Sequence, residues 1–170
     1  MKYFFICISL LISILSHSQD IVIYKDTSNN FSIGVPIGWR YGLSKNFPSI
    51  KIIAQQTTPD SSDKLLVNYN LNIYNSSNST FENAYDDFIL SINKAKNFKI
   101  IDSGNTVING INYKWIIETH ENNLSPINMC DYVLMTYKDR ICYILTLVAP
   151  EKKFEKYKPL FNKIAYSLIL

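Results

Sequence analysis

Polar and apolar residues alternate most cleanly between Val67 and Ile73, where Val67, Tyr69, Leu71 and Ile73 interleave with Asn68, Asn70 and Asn72. A period of two puts the apolar set on one face of a β-strand and the asparagine row on the other. One-sided strands of this kind are typical of antiparallel sheets, which bury one face and show the other to water or to a polar partner. Shorter stretches repeat the pattern. Residues 21–25 and 31–35 flank a turn-rich run from Asp26 to Asn30, which predicts a hairpin. Pro36 cannot donate to a ladder and ends it. A polar loop follows Trp39 and Arg40 as far as Ser49, and residues 50–55 read as the next strand. Residues 98–102 and 106–108 are extended, separated by a turn or bulge at Ser103-Gly104. Asn109-Gly110 is a strong two-residue hairpin signal. It leads into a return strand over 111–121, with Tyr113, Trp115 and Ile117 on one face. A last hairpin joins 130–137 to 140–148 about Lys138-Asp139.

Helical spacing appears twice. Phe81, Ala84, Tyr85, Phe88 and Ile92 recur at three- and four-residue intervals behind Ser79-Thr80-Phe81-Glu82, which matches a capping box. The spacing predicts a helix over 80–95, with Glu82, Asp86 and Asp87 near its positive end. Phe154, Tyr157, Phe161, Ile164 and Leu168 mark a second helical stretch. Pro159 removes a backbone hydrogen bond within it. The expectation is a short helix before Pro159 and a main helix from there to about Ser167. With no internal repeat and no linker, the chain reads as one α+β domain, a central antiparallel sheet flanked by helices.

The first residues depart from this pattern. Lys2 precedes an apolar run from Phe4 to Leu15, and small residues flank the exit at Ser16-His17-Ser18. These are the charged, apolar and cleavage regions of a secretory signal, and the run falls short of the roughly 20 apolar residues of a spanning helix. Residues 1–18 are thus expected to be a signal peptide cut after Ser18, with the domain over 19–170. The mature protein is then exported, periplasmic or extracellular, with no transmembrane segment. Cys7 lies inside the apolar run, not directly after the cut, so it does not mark a lipid anchor.

Composition adds limits. With 47% hydrophobic and 14% aromatic residues, the chain can fill one core. A net charge of +3, lower still without Lys2, is too weak to argue for nucleic acid as a partner. Cys130 and Cys142 are the cysteines of the mature chain. About a turn at Lys138-Asp139, Cys142 faces Met135 and Cys130 faces Leu147. The two sulfurs then project from opposite faces, which predicts buried thiols and no disulfide. A three-residue turn would reverse one strand and undo that argument.

No catalytic constellation emerges. His120 is the one histidine of the mature chain. A zinc site would have to gather it with Cys130, Cys142 and a fourth ligand, and a cysteine nucleophile would use the same residues. The opposite-face argument separates the thiols, so His120 reads as a polar surface residue. There is no nucleophile elbow and no phosphate-binding glycine loop. Asp86 and Asp87 point about 100° apart on their helix, and Asp60 and Asp63 sit in a Ser/Thr-rich loop. Lys152, Lys153, Lys156, Lys158 and Lys163 alternate with Glu151 and Glu155, as on a solvated helix face. Asn30, Asn75, Asn78 and Asn123 begin N-x-S/T sequons, which matter only in a host that glycosylates them. No metal, cofactor or catalytic residue is expected.

The stretch Phe31-Ser32-Ile33-Gly34-Val35-Pro36-Ile37-Gly38-Trp39, the turn at Asn109-Gly110 before an aromatic strand, and the ending Phe161 to Leu168 together resemble the PsbP-like superfamily. That superfamily also holds Ran-binding nuclear import factors and bacterial envelope proteins. The resemblance spans nearly all of 19–170. It implies an α/β/α sandwich without enzymatic chemistry, acting as an accessory, adaptor or partner-binding module, with Phe31, Pro36, Trp39 and Ser167 as fold residues. The expected role is a non-enzymatic module of the cell envelope acting through a protein partner, with an adaptor, chaperone-like or inhibitor role. Its contact would be the asparagine row Asn68, Asn70 and Asn72, or the aromatic loop at Trp39 and Tyr41. The alternative is a small-molecule or lipid carrier with a pocket between helix 80–95 and the sheet.

Overall fold

The computed structural model describes residues 20–59, 65–78, 80–122 and 125–170. The expected signal segment and cut, Asp60, Asp63, Ser79 and Asn123 lie outside them. Among the described residues nine strands and two α-helices follow in order: β1 (Ile21–Asp26), β2 (Phe31–Pro36), β3 (Arg40–Gly42), β4 (Ile50–Gln55), β5 (Asn68–Asn75), α1 (Phe81–Ile92), β6 (Lys99–Ile108), β7 (Ile111–Glu121), β8 (Asn128–Lys138), β9 (Ile141–Pro150) and α2 (Phe154–Tyr166), with a 3-10 turn (Glu151–Lys153) leading into α2. Strands β3-β4-β5-β9-β8-β7-β6 form one antiparallel sheet, and β1 and β2 form a separate two-stranded sheet. The α+β, helix-flanked sheet read from the sequence is the architecture observed.

Each helix covers one face. The larger core holds Tyr69, Leu71, Leu134, Leu145 and Leu147 beneath Phe154, Tyr157, Phe161 and Ile164 of α2, with Phe31, Ile33 and Val35 of β2 closing its side. On the opposite face Ile116, Val133, Met135, Cys142 and Ile144 lie under Phe81, Ala84, Tyr85, Phe88 and Ile92 of α1. Burying side chains of this size contributes about 1.5–3 kcal/mol each. That contribution explains why the apolar period, not local propensity, sets which face each element turns inward.

The small sheet is fastened to α2 by polar contacts. The Gly34 N–H donates to Ser167 Oγ at 2.7 Å, and Ser167 Oγ donates to the Ile164 carbonyl at 2.6 Å. The Tyr69 hydroxyl donates to the Gly34 carbonyl at 3.0 Å, joining the small sheet to the large one. Ser32 and Ile169 exchange two backbone hydrogen bonds of 2.9 Å each. A Cβ on Gly34 would lie 2.5 Å from Ile21 Cδ1 and 2.8 Å from Ser167 Oγ, so this crossing admits only glycine without a shift.

Five details differ from the sequence reading, the first being that β6 runs unbroken through Ser103-Gly104, with its bulge between Ile100 and Asp102. The last hairpin turns on Asp139-Arg140, both at positive φ, with Lys138 opposite Ile141. This moves the register by two residues, so Cys142 faces Tyr137 and Cys130 faces Ala149. A two-residue shift preserves the faces, and the thiols do sit in separate cores. Helix α1 stops at Ile92, and Thr80 is its N-cap, its side chain accepting from the Asn83 N–H. Helix α2 runs unbroken through Pro159, which is exposed, as is Glu155, whose carbonyl would have accepted its missing N–H. The missing bond thus falls on the exposed side of the helix, where solvent can substitute for it. The polar loop after Trp39 contains the edge strand β3, whose three residues show no alternation because all three are exposed.

Candidate functional site

The face of the sheet that carries α1 is apolar only where the helix lies. One row further along the strands, the cross-strand register aligns Asn68 of β5, Val148 of β9, Asp131 of β8 and Glu118 of β7. His120, two residues beyond Glu118, projects from the same face. Asn70 and Asn72 continue the row of Asn68 along β5, opposite Thr146 and Ile144.

Glu118 and Asp131 are directly opposite each other and almost wholly buried, at 4% and 8% exposure. His120 is half-buried, and its Nδ1 lies 3.1 and 3.2 Å from the two carboxylate oxygens of Glu118. One ligand-type atom from each of Glu118, His120 and Asp131 falls within 4.8 Å of the other two. Asp131 Oδ1 is buried with no hydrogen-bond partner in the protein. Burial, then the facing Glu118 carboxylate, push the Asp131 carboxyl up to about 7, against a smaller downward pull from His120. The bond to Glu118 raises His120 above the usual imidazole value, with burial opposing. Two buried carboxyl groups and an imidazole therefore form one polar cluster on this face.

The sequence reading tested His120 against the wrong partners. Cys130 pairs with Thr119 and faces the α2 core, whereas its neighbour Asp131 lies opposite Glu118 on the face that carries His120. The signal was the spacing Glu118-x-His120, which puts both on one strand face. Asp131 joins them only once the β7–β8 register is known. Neither thiol is poised for chemistry. Burial first, then the surrounding acidic groups, push Cys130 up to about 12, and burial raises Cys142.

The proposed contact residues separate into three settings. Trp39 is 7% exposed and packs on Tyr69 with ring centroids 6.3 Å apart, so it is taken off the surface on which the sequence reading set it. A core ring beside a proline-ended strand is what the family pattern implied for it. Asn68, Asn70 and Asn72 are half-buried; Asn68 donates to the Leu66 carbonyl at 3.1 Å, and Asn72 Oδ1 is buried without a partner. Tyr41 alone is openly exposed, at 53%, on the outermost strand, its ring edge-on to Tyr24 at 5.5 Å. Leu43 and Phe47 follow at 68% and 61%. The sequence pointed to this loop through its aromatic residues but not to its edge position. Where a carrier pocket was envisaged, the apolar residues of α1 pack on the sheet, and a cavity lies beside them between Ala84, Phe88 and Ser91 of the helix and Tyr74 to Asn78. The basic stretch of α2 carries paired charges, Lys158 with Glu155 at 3.8 Å and Lys163 with Asp20 at 3.6 Å. Among the described residues, no helix is long and apolar enough to cross a membrane.

No protein-family model matches the sequence, and no curated protein matches it. Solved structures do. A cyanobacterial PsbP from Synechocystis sp. PCC 6803 superposes with a TM-score of 0.66 at 16% identity, covering 90% of this chain and 93% of its own. LpqN of Mycobacterium tuberculosis, described as involved in cell envelope biogenesis, gives 0.62 at 12% identity, covering 88% of each chain. The Ran-binding protein Mog1p of Saccharomyces cerevisiae gives 0.61 at 10% identity, covering 89% of this chain and 96% of its own. These likenesses carry the fold and not the role. The arrangement of a β1–β2 hairpin, a seven-stranded antiparallel sheet and one helix on each face is the PsbP-like fold.

Proposed function

We propose that this protein is an exported, non-enzymatic accessory module that binds a protein partner through the β3 edge of its sheet. The observation that carries the reading is the exposure of Tyr41, Leu43 and Phe47 within one short stretch, beside a strand paired on one side only. Three large apolar side chains on and just after an edge strand favour association over solvation, and an open edge offers unpaired backbone donors and acceptors. Aromatic anchors dominate the energetics of protein contacts. Support also comes from the two thiols, which are buried and shifted away from reactivity, and from neighbours described as Ran-binding and as involved in envelope biogenesis. The signal pattern of residues 1–18 supports export to the envelope, with the mature protein beginning at Gln19.

The test is co-purification from the native host with wild-type protein and with Tyr41→Asp, Leu43→Asp and Phe47→Asp. Each position is exposed, so the variants keep the wild-type Tm. The reading expects the partner retained by wild type to be lost from at least one variant. Undiminished capture by all three sets the site assignment aside.

A further inference from the structure

The Glu118, His120 and Asp131 trio is unused by the β3-edge contact, which lies four strands from Asp131 and five from Glu118 and His120 across the sheet. We propose that these three side chains bind a single divalent transition-metal cation of the zinc type, in a three-ligand site left open on the His120 side.

Three observations support this. The donor set is one imidazole and two carboxylates, with one atom of each within 4.8 Å of the other two. Zinc takes His nitrogen and carboxylate oxygen at about 2.0–2.2 Å, so tetrahedral ligand atoms stand about 3.4 Å apart. The His120–Glu118 separations of 3.1 and 3.2 Å already match that edge. Asp131 then needs only a small side-chain adjustment to close the third corner. The placement is rigid, because Glu118 and Asp131 are paired residues in the middle of a regular ladder and His120 is on the same strand as Glu118. Sites built on strands hold ligand geometry better than sites on loops.

The second observation is the orphaned Asp131 oxygen. Asp131 is more than nine-tenths buried, its Oδ1 has no partner, and a ligand atom of its carboxylate lies within 4.8 Å of those of Glu118 and His120. A buried polar atom without a partner costs about 1–3 kcal/mol, more when charged. A cation seated between the three residues would satisfy that oxygen and remove the conflict of two facing carboxylates. The third observation is charge: two carboxylates neutralise a dication, and a neutral imidazole with carboxylates selects a borderline transition metal over calcium or magnesium, which favour all-oxygen shells. His120 is the most exposed of the three, with 23% of its side chain accessible, so the fourth position opens there to water or a ligand.

The experiment uses chelator-stripped protein and two probes, Zn²⁺ by calorimetry and Co²⁺ by visible absorption. Expected are one equivalent of zinc and a cobalt spectrum of a low-coordinate site with nitrogen and oxygen ligands, displaced by zinc. Asp131→Asn is nearly isosteric and His120→Ala removes a partly exposed group, so both fold. Each should weaken zinc binding by more than the ~10–100-fold that loss of an outer ligand partner costs. Cys130→Ser should leave binding unchanged, since its side chain faces the other core. No stoichiometric binding, or one equivalent that survives in both Asp131→Asn and His120→Ala, overturns the proposal.

Discussion

Ser167→Ala tests how the small sheet is fastened to the domain. The side chain of Ser167 accepts the Gly34 N–H at 2.7 Å, and Gly34 is itself buried. Alanine leaves that amide without an acceptor in a site where its neighbours Ile33 and Val35 are fully enclosed. A buried donor left unpaired costs about 1–3 kcal/mol. The Ile164 carbonyl loses the Ser167 hydroxyl but keeps the Ser167 N–H at 3.1 Å, so it adds little. A loss of about 1–3 kcal/mol corresponds to a fall in Tm of roughly 2–4 °C per kcal/mol for a domain of this length. Gly34→Ala should be destabilising as well, since its Cβ would meet Ser167 Oγ at 2.8 Å and Ile21 Cδ1 at 2.5 Å. The two changes share one contact, so the double variant should lose less than the sum of the singles. Urea unfolding of all four proteins measures this. A Ser167→Ala variant within 0.5 kcal/mol of wild type (on the order of a neutral surface change), or strict additivity with Gly34→Ala, would refute the reasoning.

Three further predictions follow from the same geometry. In the presence of a chelator, stability should fall as pH rises from about 4 to about 7. The folded Asp131 carboxyl titrates near 7 while its unfolded value is about 3.9, so the fold favours its neutral form and that advantage is lost on ionisation. His120, raised in the fold, works in the same direction, its contribution being lost as pH rises through its folded value. Asp131→Asn should therefore gain on wild type by a few kcal/mol between pH 4 and pH 8 in urea titrations, and parallel curves would contradict it. Cys130 and Cys142, buried on separate faces, should resist a thiol reagent in native protein and react on unfolding. Rapid native modification of either would count against the register. Trp39→Ala should cost about 3–5 kcal/mol, as for other buried aromatic truncations, while Tyr41→Ala stays near wild type. Comparable losses at the two positions would mean that the core and surface assignments are wrong.

Where packing follows a simple period, the fold was legible. The alternation of Val67–Ile73 put Tyr69 and Leu71 in the core and the asparagines on the other face, and the Asn109-Gly110 turn has the two positive φ values such a hairpin needs. Legibility failed where a long-range partner decides. Arg40–Gly42 becomes a strand only because β4 offers an edge, Pro159 is tolerated only because its gap faces water, and Asp139-Arg140 adopts a two-residue turn without glycine. The same limit hid the buried trio. Glu118 and His120 share a face by local spacing, but Asp131 belongs to them through a β7–β8 register that no local pattern specifies. Tyr41 was visible as an aromatic in a polar loop; that Trp39, two residues earlier, is buried follows from its contact with Tyr69.

The β3-edge contact is tested most directly by placing a photo-reactive residue at position 41, 43 or 47 in the native host, with position 90 of α1, equally exposed, as control. A discrete adduct of one protein with the three edge positions, absent from position 90, is the predicted result. Adducts of the same pattern from all four positions, or none from the edge, would contradict it.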